Sequence, residues 1–297
     1  MNNLAKNAVL APFNLLYHIS PSTCLKAVFR LQEGYPLDLE HPKTYNEKLQ
    51  WIKLNDHNPL MPQCCDKYAV RRYVEEHGCS QYLNELYWQG FDPTDIPFDD
   101  LPDSFVIKVT HGSGFNIIVH DKAELDRRKA IDDCCRWLKA KFLPCYGEWF
   151  YGVERPRVVV ERYLENPGVS QLFDYKVFCF NGRARLVRLD TDRFTDHKMF
   201  VYDRDWNRLY GHDMGYHTDD AVEFERPACL DDLLAAAESL SEPFYHARVD
   251  FYILGERIVF GEITFTNGAG FDTFHPEGFD REMGEMLRLP CDEETTL

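Results

Sequence analysis

The segment HARVDFYILGERIVFGEITFT, residues 246–266, constrains the fold more than any other part of the sequence. Two β-branched and aromatic runs separated by Gly255-Glu256 predict an antiparallel hairpin. Folding at that turn places Asp250 and Glu262 on neighbouring strands, where like charges destabilise the pair unless a cation lies between them. Mg²⁺ prefers such carboxylate oxygens, so we predict a magnesium site, with a structural ion pair to Arg248 as the alternative.

A glycine-rich hairpin near residue 110 carries a second candidate site. The runs Phe105–Val109 and Asn116–Val119 flank the tip HGSG and predict two strands with a flexible turn. Lys108 interrupts the first apolar run, and a lysine beside a loop of backbone N–H groups is suited to holding phosphate. The spacing differs from the G-x-x-x-x-G-K-[ST] phosphate loop, and an exposed lysine on an ordinary hairpin is the alternative.

The remaining pattern predicts a mixed α/β chain of the α+β class with largely antiparallel sheets. Helical spacing follows Pro42 and Cys64, and Asn181-Gly182 predicts the turn of a further hairpin. Long helices are also predicted from Lys122 and over LDDLLAAAESLS and EGFDREMGEMLRL. We divide the chain into an N-terminal helical extension (1–40), a helical subdomain (41–103), a lid subdomain of order β-β-α-β (104–164) and a C-terminal subdomain (165–297).

Composition excludes some classes of protein. The chain has 297 residues, of which 44% are hydrophobic and 14% aromatic, which is typical of a globular protein. A formal net charge of -16 argues against a general nucleic-acid binder, because phosphate neutralisation needs a basic surface. Among the ten cysteines, Cys64-Cys65 and Cys134-Cys135 are neighbours and no C-x-x-C pair exists. We therefore expect reduced thiols in a cytoplasmic protein.

The first twenty residues are mildly apolar but too interrupted for a membrane-spanning helix. We predict a helix that packs on the body of the protein or on a partner subunit. Peripheral attachment to a membrane is the alternative.

Several segments together have the order and rough spacing of the ATP-grasp superfamily. They are DKYAVRRYVEE, FVIKVTHGSG, VVVERYLE, DYKVFCFNG, RVDFYI and GEITFTNGAG. More narrowly, TYNEKLQWIKL, DKYAVRRYVEE, HGSGFNIIV, DYKVFCFNG, DRFTDHK and GEITFTNGAG resemble the TupA-like ATP-grasp family of teichuronopeptide and surface-polysaccharide gene clusters. The likeness runs from about Pro42 to Leu289 and implies an ATP-grasp fold, in which two α+β subdomains grip ATP.

The resemblance also implies roles for individual residues. The residues that would hold ATP are Lys67, Lys108, His111, Gly112, Ser113, Gly114, Glu161, Arg162, Tyr163, Leu164 and Lys176. Within this set, Lys67 and Lys108 would bind the phosphates, and residues 111–114 would form a lid over them. Residues 161–164 would contact the adenine. The cations that would bind a carboxylate substrate or its acyl phosphate are Arg193, Lys198 and Arg248.

The metal site implied by the resemblance departs from the family pattern at one position. Asp250 and Glu262 would coordinate Mg²⁺, but the asparagine usual two residues further on is replaced by Thr264. Either Thr264 or Asn267 would supply the missing oxygen. The small residues Gly268–Gly270 would let the backbone approach the reacting phosphoryl group without a side chain in the way.

The resemblance implies an ATP-dependent carboxylate–amine ligase that forms an amide through an acyl phosphate. Its substrates would be a carboxylate-bearing sugar or amino acid and an amine, decorating a uronic-acid-containing bacterial cell-surface polysaccharide or its precursor. A sugar or glycan kinase on the same fold is one alternative, and a nucleotide-binding scaffold in polysaccharide biosynthesis is another. A metal-dependent glycosyltransferase is disfavoured, because the sequence has no obvious D-x-D triplet in a loop at the end of a strand. The nearest match is Asp190–Asp192.

Overall fold

The computed structural model describes residues 3–165, 172–191, 195–216 and 218–292. Within these ranges the α-helices are α1 (Asn3–Ile19), α2 (Pro21–Glu33), α3 (Tyr45–Asn55), α4 (Leu60–Cys65), α5 (Val70–Glu76), α6 (Arg127–Trp137), α7 (Leu230–Ser241) and α8 (Phe279–Met286). The strands are β1 (Leu86–Gly90), β2 (Phe105–Val109), β3 (Asn116–Val119), β4 (Val158–Arg162), β5 (Asp174–Phe180), β6 (Arg183–Thr191), β7 (Lys198–Asp203), β8 (His246–Leu254) and β9 (Arg257–Thr264).

The strands form two antiparallel sheets, and the predicted α+β class is confirmed. The lid sheet has the strand order β1-β4-β2-β3, and the central sheet has the order β7-β6-β5-β8-β9. The hairpin tip between β2 and β3 and the turn between β8 and β9 lie where the sequence predicts them. Strand β1 was not predicted; it lies in the segment 41–103, which we expected to be helical, and it pairs with β4.

One face of the lid sheet is apolar and buried, and the opposite face carries charged side chains. Phe105, Ile107 and Val109 are fully buried in a cluster that also contains Ala130 and Cys134 of helix α6. Side chains alternate along a strand, so Lys108 of β2 and Glu161 of β4 project from the opposite face. The apolar alternation of β2 therefore fixes the direction of the one lysine that interrupts it.

The central sheet separates an apolar face from a charged one in the same way. Val177, Cys179 and Val249 are fully buried in the main core, which also includes Leu233 and Ala237 of α7. The alternate positions on β5, β6, β8 and β9 carry acidic and basic side chains on the opposite face. These charged positions are Asp174, Lys176, Arg188, Asp190, Arg248, Asp250 and Glu262.

Helix α3 begins where the sequence predicts, because Thr44 caps it. The Thr44 hydroxyl accepts the backbone N–H of Glu47, and the Glu47 carboxylate accepts the N–H of Thr44, which forms a capping box. Tyr45, Leu49 and Ile52 are then buried against the main core.

Two predicted helices are shorter in the structure. The predicted helix from Cys64 is interrupted because Asp66 Oδ1 accepts the backbone N–H groups of Tyr68 and Ala69, which competes with helical hydrogen bonding. This interruption leaves Lys67 in a turn between α4 and α5. The helix predicted from Lys122 begins only at Arg127, since Asp126 caps it by accepting the N–H of Lys129.

The N-terminal helices pack on the body of the protein, as predicted. Leu10, Cys24 and Val28 form a small cluster with Cys145, and Asn14 Oδ1 accepts the N–H of Cys145 at 3.0 Å. None of the described helices is long and apolar enough to cross a membrane. No disulfide joins any two of the ten cysteines in the described part of the chain.

Candidate active site

The charged face of the central sheet aligns three strands at one level. The register pairs Lys176 of β5 with Asp250 of β8, and Asp250 with Glu262 of β9. Arg248 and Thr264 form the next pair on the same face, because residues two positions apart on a strand project to the same side. The predicted neighbourhood of Asp250 and Glu262 is therefore confirmed, and their role in metal binding stays a prediction.

The guanidinium of Arg248 contacts all four residues predicted as metal ligands. Its Nε donates to Asp250 Oδ1 at 2.7 Å and its Nη2 to Asp250 Oδ2 at 2.7 Å. Nη2 also donates to Thr264 Oγ1 at 3.1 Å and lies 3.3 Å from Glu262 Oε1, while Nη1 donates to Asn267 Oδ1. The structure thus contains the ion pair that the sequence left as the alternative, and it also gathers four oxygen donors around one cation.

Lys176 is a second buried cation at this end of the sheet. Its Nζ donates to Asp250 Oδ2 at 2.8 Å and to the carboxylate of Asp174. Burial raises the pKa of Asp174, although the neighbouring Lys176 opposes the shift. Burial also acts to raise the pKa of Asp250, but Arg248 and Lys176 outweigh it and hold that pKa below its usual range. Asp250 is therefore an ionised carboxylate held between two cations.

Gly261 allows the two acidic strands to meet closely. The pairing of β8 with β9 shifts by one residue between Asp250 and Phe251, which leaves Gly261 as the extra residue of a bulge. A Cβ at Gly261 would lie 3.0 Å from the carbonyl oxygen of Asp250 and 3.4 Å from the ring of Tyr252. The absence of a side chain at this position therefore keeps Glu262 in register with Asp250.

The glycines after β9 correct one expectation from the sequence. Gly270 has φ +70° and lies against α3, where a Cβ would approach Gln50 Nε2 to 2.5 Å and Leu49 Cβ to 3.1 Å. Close packing against α3 therefore requires this glycine, and the proposed approach to a phosphoryl group does not account for it. Gly268, in contrast, lines a cavity beside Arg248 and Glu262.

Lys108 and Glu161 form an ion pair on the cleft face of the lid sheet. Lys108 Nζ donates to Glu161 Oε2 at 2.7 Å, and Arg71 Nη1 lies 3.8 Å from Glu161 Oε1. The Glu161 side chain is 9% exposed, whereas that of Lys108 is 30% exposed. Glu161 is thus held between two cations, and the ammonium of Lys108 remains accessible from the cleft.

The lid loop is tied to the turn that carries Lys67. Lys67 Nζ donates to the carbonyl oxygen of Gly112 at 2.7 Å. Ser113 and Gly114 at the tip of the loop line the cleft. His111 is buried beneath the loop, with its Nε2 at 3.0 Å from the carbonyl oxygen of Ala140, and lines a different groove.

The segment after β4 presents one residue to the cleft. The backbone N–H of Arg162 donates to Glu85 O at 2.9 Å, and its carbonyl accepts from Asn84 Nδ2 at 2.9 Å. Tyr163 packs edge-on against His120. Leu164 lines the cleft together with Glu161, and these are the two positions of the predicted adenine-binding segment that do so.

Both sheets line the same cleft, whose empty volume is about 950 Å³. The lid side and its neighbours contribute Lys67, Val70, Arg71, Leu83, Asn84, Lys108, Ser113, Gly114, Phe115, Asn116, Glu161 and Leu164. The central sheet contributes Asp174, Asp250, Tyr252, Phe260, Gly261 and Glu262. An apolar zone thus lies beside a zone in which lysines face carboxylates, a mixture suited to a base with attached phosphates.

One of the predicted substrate-binding cations, Lys198, does not line this cleft. Lys198 lies on the edge strand β7, where its Nζ is 3.5 Å from Asp219 and 3.7 Å from Asp196. Arg193 lies outside the described residues. Arg248 is the predicted cation that the structure places among the other candidates.

The sequence reasoning missed several residues that line the site. Arg71 follows Lys67 by four positions, a spacing that places two side chains on one helix face only when the helix is continuous. Asp174 precedes Lys176 by two positions on a strand, and this alternation could have identified it. Glu148, which lines the cavity beside Arg248, lies in a loop without any distinguishing local pattern.

The solved structures that match part of this chain include three ligases. D-alanine–D-alanine ligase from Bacillus anthracis is 17% identical, with 69% of this chain and 57% of that chain covered and a TM-score of 0.42. The ligase of the same name from Helicobacter pylori is 14% identical (77% and 59% covered, TM-score 0.44), and L-amino acid ligase from Bacillus licheniformis is 13% identical (70% and 42% covered, TM-score 0.42).

The chain spans about half the length of these structures. No curated protein matches the sequence. The model of one family, TupA-like ATPgrasp, matches residues 47–288, which include both sheets and every strand of the cleft described above. The chain therefore belongs to the TupA-like ATP-grasp family.

Proposed function

We propose that the protein is an ATP-dependent carboxylate–amine ligase that works through an acyl phosphate. One observation carries the proposal: Lys67 and Lys108 on the lid side face Asp250 and Glu262 of the central sheet across one cleft. Cations from one subdomain and metal-binding carboxylates from the other are what a bound nucleoside triphosphate requires. Membership of the ATP-grasp family supports ATP as the nucleotide.

The cleft has separate zones for the base and for the phosphates. Val70, Leu83, Leu164 and Phe260 form its apolar zone and would enclose the adenine. Glu161 borders this zone, where its carboxylate would accept a hydrogen bond from the adenine amino group. The phosphates would then extend toward Lys67, Lys108 and the backbone of the lid tip.

The donors around Arg248 fit Mg²⁺. The two carboxylates lie side by side across β8 and β9, with the hydroxyl of Thr264 and the amide oxygen of Asn267 beside them. Among the described residues no cluster of three or more His, Cys, Asp or Glu could hold a metal alone. Mg²⁺ needs no such cluster, because it binds through one or two carboxylates plus phosphates. Asp250 and Glu262 would hold it, and it would neutralise charge on the phosphate oxygens.

The residues of the chain would act on two successive reactions. First, the substrate carboxylate attacks the γ-phosphorus of ATP, so that an acyl phosphate forms and ADP leaves. Lys67 and Lys108 would stabilise the charge that develops on the transferred phosphoryl group. An amine then attacks the acyl carbon and phosphate leaves. Arg248 lies beside Glu262. It would hold the substrate carboxylate before phosphoryl transfer and the acyl phosphate after it.

The substrate class that we propose follows from the family. We propose a uronic-acid or amino-acid carboxylate as the acyl donor, joined by an amide bond to an amino acid or other amine on a bacterial cell-surface polysaccharide or its precursor. The resemblance to proteins of surface-polysaccharide gene clusters supports this assignment.

An assay of ADP release with Mg²⁺ tests the proposal directly. The full-length protein is incubated with ATP and pairs of candidate uronic acids and amino acids. Hydroxylamine is then added to trap any acyl phosphate as a hydroxamate. We expect carboxylate-dependent ADP formation and a hydroxamate of the same carboxylate. If no carboxylate that stimulates ADP formation yields a hydroxamate, the ligase proposal is wrong, and a stable phosphoester product would identify a kinase instead.

A further inference from the structure

A second cavity adjoins the ATP cleft at its phosphate end. The two share Lys67, Ser113 and Glu262, so the cavity begins where the γ-phosphate of ATP would end. Its empty volume is about 830 Å³, and it extends from Arg248 toward Glu148. We call it the acceptor cavity. A reactant in it could reach the transferred phosphoryl group without displacing the nucleotide.

Glu148 is the carboxylate of the acceptor cavity that the site described so far does not use. The hydroxyl of Thr266 donates to Glu148 Oε1, and among the described residues no cation lies within ion-pair distance of this carboxylate. The buried ammonium of Lys53 is occupied elsewhere, because it donates to the carbonyl oxygens of Tyr146 and Ala269 at 2.8 Å. Glu148 therefore has the capacity to accept further hydrogen bonds from a ligand.

Charged side chains of opposite sign line different parts of the acceptor cavity. Lys67 and Arg248 lie at the end that adjoins the ATP cleft, and Glu148 is a negative charge in the remainder. Phe142, Tyr151 and Cys65 also line this part of the cavity. Charges that are partly removed from water interact more strongly than exposed ones, and a carboxylate that forms no close ion pair favours a cationic ligand.

We propose that Glu148 binds the amine reactant as a primary ammonium and accepts a proton from it. This inference rests on the proposed ligase function and assigns the second substrate to the acceptor cavity. Burial raises the pKa of Glu148, with Lys53 opposing the shift, so the group is a better proton acceptor than an exposed glutamate.

The proton balance of the second reaction requires an acceptor of this kind. An ammonium carries three protons and the amide nitrogen keeps one. One proton passes to Glu148, which frees the nitrogen lone pair to attack the acyl carbon. The C–N bond forms as the C–O bond to phosphate breaks, and the leaving phosphate takes the electron pair and the second proton. Glu148 then returns its proton to water.

The test compares Glu148→Gln with wild type in the two half-reactions. The glutamine still accepts the Thr266 hydrogen bond but lacks the charge. We expect the KM for the amine to rise at least about tenfold, because the variant loses a hydrogen bond between two charged groups. Trapping by hydroxylamine, which is uncharged at neutral pH, should stay within a factor of about three of wild type. Glu154→Gln, from the same loop but outside the acceptor cavity, is the matched control.

The possible outcomes separate this inference from the proposed function. If wild type forms no hydroxamate, the ligase proposal itself fails. If wild type is a ligase and Glu148→Gln keeps the amine KM, the role of Glu148 is wrong. A structural role of Glu148 as a counter-charge for Lys53 would lower thermal stability and leave the amine KM unchanged, which would also overturn the inference.

A measurement on the wild-type protein guards against a variant that does not fold. The alcohol analogue of the accepted amine has the same shape but no positive charge. We expect it to inhibit amide formation at least about tenfold more weakly than an unreactive tertiary-ammonium analogue. Equal inhibition by the two would show that the cavity does not recognise the charge, and would overturn the assignment.

Discussion

The two sides of the cleft hold their charges in opposite ways. On the central sheet, Asp250 is buried and its two oxygens receive hydrogen bonds from Arg248 and Lys176. On the lid side, Lys108 is 30% exposed and pairs with one carboxylate, while Lys67 bonds to the lid loop through one carbonyl. The first set is fixed within the core of a sheet, and the second set lies on a hairpin and a turn.

This difference indicates separate roles for the charges of the central sheet and those of the lid side. Charges held within a packed sheet keep their geometry without a ligand, as electrostatic stabilisation of a transition state requires. Charges that are partly exposed and have few partners can exchange one partner for another, so Lys67 and Lys108 are suited to following the phosphates as they bind. Removing a buried charge from the central sheet should therefore lower both stability and turnover, whereas removing one from the lid should weaken ATP binding and catalysis with little effect on stability.

The largest effect is expected for Arg248→Ala. Removing this guanidinium leaves buried Asp250 with one cation, and breaking a buried ion pair costs about 3–5 kcal/mol. Chemical denaturation should show this loss, and ADP formation should disappear. Mg²⁺ should restore more stability in the variant than in wild type, because it supplies the missing cation. Arg257→Ala, at the exposed start of β9, is the control, and a loss below about 1 kcal/mol in Arg248→Ala would contradict the buried arrangement.

Glu262→Gln should separate turnover from stability. The Glu262 side chain is 45% exposed, so the substitution should change the unfolding free energy by less than about 1 kcal/mol. We expect kcat to fall at least about a hundredfold, equivalent to about 2.7 kcal/mol of transition-state stabilisation. Steady-state ADP release checks the result against Glu256→Gln in the neighbouring turn. Near-normal activity in Glu262→Gln would show that the metal assignment is wrong.

Lys108→Met should affect nucleotide binding with little effect on stability. The variant keeps Arg71 near Glu161, so the lid sheet retains part of its charge balance. We expect the KM for ATP to rise about tenfold, because a charge-assisted hydrogen bond contributes about 1.5–3 kcal/mol. Lys129→Met on the exposed side of α6 should leave this KM unchanged. An unchanged KM in Lys108→Met would place the phosphates elsewhere.

The smallest effect is expected for Thr264→Val, which keeps the size of the side chain and removes the hydroxyl oxygen, one of the candidate metal ligands. One hydrogen-bonding oxygen contributes about 1 kcal/mol, so the Mg²⁺ concentration needed for half-maximal activity should rise about fivefold. Thr264→Asn, which restores the oxygen at the family's usual position, should keep the wild-type requirement. If Thr264→Val has no effect and Asn267→Ala raises the requirement, Asn267 completes the site instead.

Local patterns were enough to predict the elements that hold the site. The hairpin of β8 and β9 has a short turn and alternating side chains, so strand geometry alone places Asp250 opposite Glu262. The same reasoning predicts the Phe105–Val109 hairpin and the direction of Lys108. It failed at Lys67, where the side chain of Asp66 competes with helical hydrogen bonds and ends the predicted helix.

The class of fold, the two hairpins and the acidic pair follow from the sequence, because each depends on residues close together in the chain. Which distant groups meet depends on the packing of the folded chain. Glu148 contacts Thr266 across 118 positions, and Arg71 of helix α5 approaches Glu161 of strand β4. Such contacts depend on how helices and sheets pack, and no local periodicity encodes them. The acceptor cavity, with Glu148 in its wall, is for that reason visible only in the folded protein.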